Sequence, residues 1–185
     1  MNDLLDYLVA KRQAIRVRRE AAKTQTLEPR TLTARATAEG RSGVRRIRIR
    51  DFQVISDSGP DFAGYNLGPS SPELQLGTLS SCITHVFLIQ AADLGVPLES
   101  LEVEVTGTMD PRAGRDGFED TPVYPHGITY DVYLSSSASS EELAALHAAV
   151  EKACPILNLL INPQKITGRV IQTSPAELEK EAIAV

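Results

Sequence analysis

The stretch Gly68-Pro69-Ser70-Ser71-Pro72-Glu73, and the apolar run that follows it to Leu94, decides the fold. Ser70 and Glu73 stand at capping-box spacing, so Ser70 or Ser71 starts a helix with Pro72 in its first turn. Leu74, Leu76, Leu79, Ile83, Val86, Phe87, Leu88 and Ile89 make more than one stripe, and beyond about Val86 the helix is apolar nearly all round. That pattern predicts a buried helix, ended by Gly95-Val96-Pro97. At 1.5 Å per residue it is roughly 35 Å long, enough to cross a small domain or reach a partner subunit. Cys82 lies in its middle, where a reactive thiol needs a deliberate opening.

On either side of this helix the pattern alternates between the two classes of element. Residues 3–24 read as a helix, with Leu4, Leu5, Leu8, Ile15 and Val17 apolar and its second half rich in Arg and Lys. This makes residues 1–28 a basic helical arm ahead of one domain, 29–185. Residues 32–38 alternate as a strand, residues 39–43 turn, and residues 44–52 form a second strand of a hairpin. Leu101, Val103 and Val105, and later Ile128, Tyr130, Val132 and Leu134, predict an antiparallel pair. The loop between them, 110–125, is long enough to suggest a lid or an interface element. Ser139 and Glu142 repeat the capping box, and Leu143, Leu146, Val150 and Cys154 supply the helical face. Pro155 opens a short helix through Leu160. Residues 165–171 read as a last strand, and Ser174-Pro175-Ala176-Glu177 starts a terminal helix.

The chain has 185 residues, 42% hydrophobic and 23% charged, enough for one sizeable core. No run of eighteen apolar residues occurs, so no membrane span is expected. The N-terminus lacks a signal-peptide pattern, which predicts a reducing, cytoplasmic setting. There, two cysteines far apart in sequence are buried thiols, a metal pair or a redox pair rather than a structural disulfide. The net charge of -5 hides thirteen Lys/Arg against five Asp/Glu in residues 1–50. The rest of the chain is acidic, and no nucleic-acid motif or aromatic interleaving accompanies the basic part. Docking of the basic part on the acidic part is therefore expected, and neither nucleic acid nor membrane is.

Cys82, Cys154, Glu73 and an arginine are candidates for chemistry, with His85 beside them. Cys82 is a core cysteine or a nucleophile. Cys154 precedes Pro155 at a helix start, where free N–H groups favour a thiolate, or it is a small polar cap. Glu73 holds the first helical turn. A carboxylate near a thiol raises that thiol's pKa unless a cation intervenes, so a reactive site needs an arginine. Of Arg41, Arg45, Arg46, Arg48 and Arg50, Arg41 stands out in its Gly-flanked turn. His85, one turn from Cys82, is a pocket residue, a base or a ligand. Cys82, His85, Cys154 and His126 have zinc-ligand types, but their spacing matches no common cluster. No P-loop, HExxH, dinucleotide-binding glycine motif or nucleophile elbow occurs.

The segments Gly68 to Leu74 and Leu79-Ser80-Ser81-Cys82, with Glu151-Lys152-Ala153-Cys154-Pro155-Ile156, resemble the two cysteine signatures of the OsmC/Ohr superfamily. Ala36 to Gly43 resembles the hairpin that carries an arginine in its Ohr branch. The resemblance implies an α+β, OsmC-like fold, with antiparallel sheets packed around long central helices in an intertwined homodimer. It also implies a thiol peroxidase for small organic hydroperoxides that needs no cofactor. Cys82 would attack the peroxide, Cys154 resolve the sulfenic acid into a disulfide, and Glu73 orient Arg41. An external dithiol, such as a lipoyl protein, would reduce the bridge. The basic arm, the polar stretch Gln75 to Thr78, His85 and the 110–125 loop depart from the Ohr branch. They leave open a redox-sensing or ligand-binding OsmC-like protein without efficient turnover, or a Cys/His metal-binding protein.

Overall fold

The structure, a computed structural model, describes residues 3–26 and 28–172. Its centre is the predicted helix, α2 (Ser71–Leu94). The Glu73 carboxylate accepts from the Ser70 amide at 2.7 Å, and the Ser70 hydroxyl accepts from the Glu73 amide at 3.5 Å. At the other end Gly95, with φ of 82°, adopts the left-handed conformation that ends a helix and donates to the Ala91 carbonyl. Leu79, Ile83, Val86, Phe87, Ala91 and Ala92 are buried, whereas Leu94 is exposed, so α2 is covered on most but not all sides. Among single helices in the described residues, α2 alone has the length and apolarity of a membrane span. It is also the helix against which the other helices and the first strand of the second sheet pack.

Helix α1 (Asp3–Thr24) lies on α2 and buries Leu8, with Leu4 and Ile15 against the same core. Arg12 Nε donates to the Ala92 carbonyl at 2.5 Å, and Arg19 makes a two-pronged ion pair with Asp93 at 2.6 Å. Cations thus meet the negative end of α2, where carbonyls lack helical partners. Strands β4 (Ser100–Thr108) and β5 (His126–Ser135) form the expected antiparallel pair, with Val103 opposite Val132 and Val105 opposite Tyr130. Ser80 Oγ, on α2, donates to the Val103 carbonyl at 2.7 Å and fixes the helix on this sheet. Helix α3 (Ser140–Ala153) sets Leu146, Val150 and then Cys154 at four-residue steps, all fully buried, towards α2. Helix α4 (Pro155–Ile161) follows at once, bent by 65° from α3.

The first sheet differs from expectation. It has three strands in the order β1 (Arg35–Glu39), β2 (Val44–Ile49) and β3 (Phe52–Ser56). The single second strand predicted over 44–52 is interrupted by a tight turn at Arg50, whose φ is 55°. Arg50 and Asp51 lack the Gly or Asn that usually signals such a turn. The first strand also starts at Arg35 rather than Leu32. A Cβ on Gly68 would meet the Ile55 carbonyl oxygen at 2.5 Å, so glycine is what lets the loop pass β3 on its way to α2. Asp57, buried at the end of β3, accepts from the amides of Tyr65 and Leu67 at 3.0 and 3.1 Å and folds that loop.

The expected strand over 165–171 is absent. These residues pair with no strand among the described residues, and Ile166, Val170 and Ile171 are exposed. Alternating side chains alone do not make a strand without a partner edge, and these residues pair with none among the described residues. The expected terminal helix lies outside the described residues.

Candidate functional site

One long helix and one helix junction bring the sulfurs together. Cys82 rides at mid-length on α2, and Cys154 closes α3 and opens α4 in one residue, with φ of -72° and ψ of 112°. Because Leu146 and Val150 pack α3 on α2, Cys154 is carried to the level of Cys82. Their Sγ atoms lie 3.5 Å apart, with the Cys154 thiol donating. Both thiols are free; Cys154 is fully buried and Cys82 partly exposed. A reagent from solvent therefore meets Cys82 first.

The electrostatics are divided. Burial pushes the Cys82 thiol above its ordinary range, and the neighbouring Cys154 adds to this, while the Ile156 amide favours the thiolate. The start of α4 thus serves Cys82. Cys154 makes no side-chain cap on α4.

Cys82 opens into a groove of about 580 Å³ lined also by Glu73, Leu74, Gly77, Ser81 and His85. Glu73 is tied to Ser70, whose hydroxyl and amide hold the carboxyl below its usual range, so it is ionised at neutral pH. His85 is kept neutral by burial and by the Lys11 ammonium. No Lys or Arg lines this groove. Arg41 sits exposed in the β1–β2 turn, away from it. The structure brings Cys82, Cys154 and Glu73 to one place and leaves Arg41 outside it within one chain.

The zinc alternative finds no gathered ligand set: no group of three or more His, Cys, Asp or Glu among the described residues could hold a metal ion. His126 lies at the start of β5 with Nδ1 3.3 Å from the Tyr124 carbonyl oxygen.

Sequence reasoning passed over a second polar cluster. The Tyr130 hydroxyl is 2.6 Å from His147 Nε2 and donates to Glu151 Oε1 at 2.9 Å. His147 stacks on Phe87, with ring centres 6.1 Å apart. Burial and then Glu151 push the Tyr130 phenol far up, so it stays protonated. This cluster lines a separate cavity of about 500 Å³. The signal available was the four-residue step from His147 to Glu151, three residues ahead of Cys154.

The comparisons agree with the fold. Residues 64–168 match the family described as OsmC-like protein. No curated protein matches. Among solved structures, an OsmC-like protein from Mycoplasma pneumoniae is similar with a TM-score of 0.62 at 19% identity, covering 72% of this chain and 89% of its own. An OsmC-like protein of unknown function from Vibrio cholerae is similar with a TM-score of 0.56 at 16% identity, covering 70% of this chain and 93% of its own. The organic hydroperoxide resistance protein OhrB of Bacillus subtilis also matches, with a TM-score of 0.46 at 18% identity, covering 70% and 89%.

Proposed function

The chain belongs to the OsmC-like protein family, and from that premise we propose that it is a thiol peroxidase reducing organic hydroperoxides to alcohols. One observation carries the reading: a partly exposed thiol on an open groove has a fully buried second thiol 3.5 Å behind it. In the proposed cycle the Cys82 thiolate attacks the terminal peroxide oxygen. The O–O bond breaks, the alkoxide takes up a proton and leaves as alcohol, and Cys82 becomes a sulfenic acid. Cys154 then attacks that sulfur, the hydroxyl leaves as water, and the disulfide forms. An external dithiol, for which a lipoyl group is a fitting source, restores both thiols by exchange.

The cation is supplied by assembly. The groove holds an ionised Glu73 and no Lys or Arg, and the β1–β3 sheet makes no extensive contact with the helices. Its Phe52 and Val54, like Ile166 and Val170, leave apolar surface uncovered. An intertwined homodimer would cover these and bring a hairpin arginine, Arg41 by preference, against Glu73 and Cys82. In that role Arg41 lowers the thiol pKa and Glu73 is a positioning residue for the guanidinium. Reduced thiols at this separation suit a reducing compartment, the cytoplasm in this proposal.

The raised Cys82 pKa favours a second reading, a redox switch that forms the disulfide once without efficient turnover. Turnover separates the two. Cumene hydroperoxide supplied in excess, with dihydrolipoamide, yields many equivalents of cumyl alcohol per chain if the protein is an enzyme, and none with Cys82→Ser. One equivalent only, with the protein left oxidised beside excess dithiol, supports the switch.

A further inference from the structure

Away from the groove of Cys82, three side chains of metal-ligand type converge on the cavity of about 500 Å³ beside β5. His147 and Glu151 stand four residues apart on α3, the spacing that turns two side chains to one face of a helix. Tyr130 comes to them from β5, where it is paired opposite Val105. The donor atoms form a small triangle. Tyr130 Oη is 2.6 Å from His147 Nε2 and 2.9 Å from Glu151 Oε1, and those two atoms are 3.8 Å apart. A circle through the three has a radius of about 1.9 Å, so a point just off their plane lies about 2.1 Å from each, the length of a zinc–nitrogen or zinc–oxygen bond. The rings are held in place: His147 stacks on Phe87 and meets Tyr130 edge-on, with ring centres 5.7 Å apart.

The surroundings favour a cation. Glu151 and Asp131 line the cavity, and no Lys or Arg does. His147 and Glu151 are about half exposed, which leaves an entry path for an ion and room for water on the open side. Without a metal the phenol donates to Glu151, and burial and that carboxylate hold its proton in place. A dication reverses the balance, because a phenolate and the Glu151 carboxylate together neutralise its two charges. Imidazole, carboxylate and phenolate make an N,O,O set, which suits zinc and its first-row neighbours better than magnesium or calcium. We propose that His147, Glu151 and Tyr130 bind a divalent transition-metal ion of the zinc type, with a fourth position open to the cavity. On binding, the Tyr130 O–H bond breaks, the proton passes to solvent and the oxygen takes the metal; no electron changes hands. Three protein ligands beside one open position is the pattern of a zinc ion that keeps a water or another exchangeable ligand. The site lies outside the thiol groove and stands whether or not the chain is a peroxidase.

The test titrates zinc chloride calorimetrically into the full chain carrying Cys82→Ser/Cys154→Ser, in mildly alkaline buffer, so that neither thiol takes the metal. One zinc per chain is expected, with a dissociation constant in the micromolar range or below. The near-ultraviolet difference absorbance of ionised tyrosine should grow with the same stoichiometry. The chain has five tyrosines, and Tyr130→Phe, which keeps the ring, assigns the signal by abolishing it. Tyr130→Phe, His147→Gln and Glu151→Gln, each added to the same background, should weaken zinc binding by about tenfold or more, the scale at which even the outer partners of metal ligands count. Magnesium in excess should not displace the zinc. The absorbance is read on the intact cluster, and circular dichroism shows that each variant compared is folded. No zinc binding, or binding undiminished in any of the three variants, overturns the site. Zinc bound without the tyrosine signal overturns it too, because the phenol is then no ligand.

Discussion

Joining Cys82 to Cys154 is expected to raise the melting temperature of the protein by roughly 5–15 °C. The two residues are 72 positions apart, so the bridge closes a long loop in the unfolded chain. The chain-entropy relation for a loop of that length gives about 4 kcal/mol at 25 °C. Against this stands the adjustment needed in the folded state. The sulfurs must close from 3.5 Å to a bond of about 2.05 Å. α2 is clamped by α1, α3, α4 and β4, so the movement falls on the α3–α4 junction, where Cys154 already has an extended backbone. A net gain of about 2–4 kcal/mol remains, and each kcal/mol moves the melting point of a chain this size by about 2–4 °C. With no tryptophan in the chain, scanning calorimetry or far-ultraviolet circular dichroism is the assay. Protein held in a phosphine reductant is compared with protein given one equivalent of cumene hydroperoxide, at one concentration. Cys82→Ser and Cys154→Ser should show no such shift. If the oxidised wild type has lost both thiols and still melts with the reduced form, the thiols were not consumed against each other, and the reasoning is refuted.

Three other outcomes follow from the same geometry. Burial and Cys154 raise the Cys82 pKa in the single chain, so alkylation of Cys82 by iodoacetamide in Arg41→Ala should climb steadily above the ordinary thiol range of about 8.5. In the wild type the midpoint should lie lower, and identical profiles would remove Arg41 from the site. Asp57 is held below the usual carboxylate range, by the Leu67 amide foremost. Its contribution to stability is thus complete above about pH 4 and disappears as the pH falls through its lower folded pKa; Asp57→Asn should flatten that acid limb in urea melts taken across pH. Ile83 is fully buried at the centre of α2, and Ile83→Ala should cost about 2–5 kcal/mol in the same urea melts, with a cost below 1 kcal/mol speaking against α2 as the core.

The helices were legible because their signals are local. The capping boxes at Ser70 and Ser139 and the stop at Gly95 all sit where the residues alone place them. The sheets were legible where side chains alternate, as in β4 and β5 and in the hairpin of β1 and β2. The turn at Arg50 was not, because an arginine in left-handed conformation carries no compositional mark. Residues 165–171 alternate like a strand, but alternation names no partner edge, and they pair with none among the described residues. The same limit governs the site. That Cys82 and Cys154 face each other follows from the four-residue stripe of α3 packing on α2, a tertiary fact that no spacing contains. The cluster of Tyr130, His147 and Glu151 joins a strand to a helix, and only its His147–Glu151 step was local. Arg41 shows the converse: its turn was read correctly, yet within one chain it lies outside the groove that Glu73 and Cys82 line.

The most direct measurement is intact mass together with free-thiol titration of reduced protein given a single equivalent of cumene hydroperoxide. The account predicts that the wild type loses two thiols and the mass of two hydrogens within one chain, while Cys154→Ser gains one oxygen at Cys82 and Cys82→Ser does not change. An unreactive wild type, or a bridge found only between chains, would contradict it.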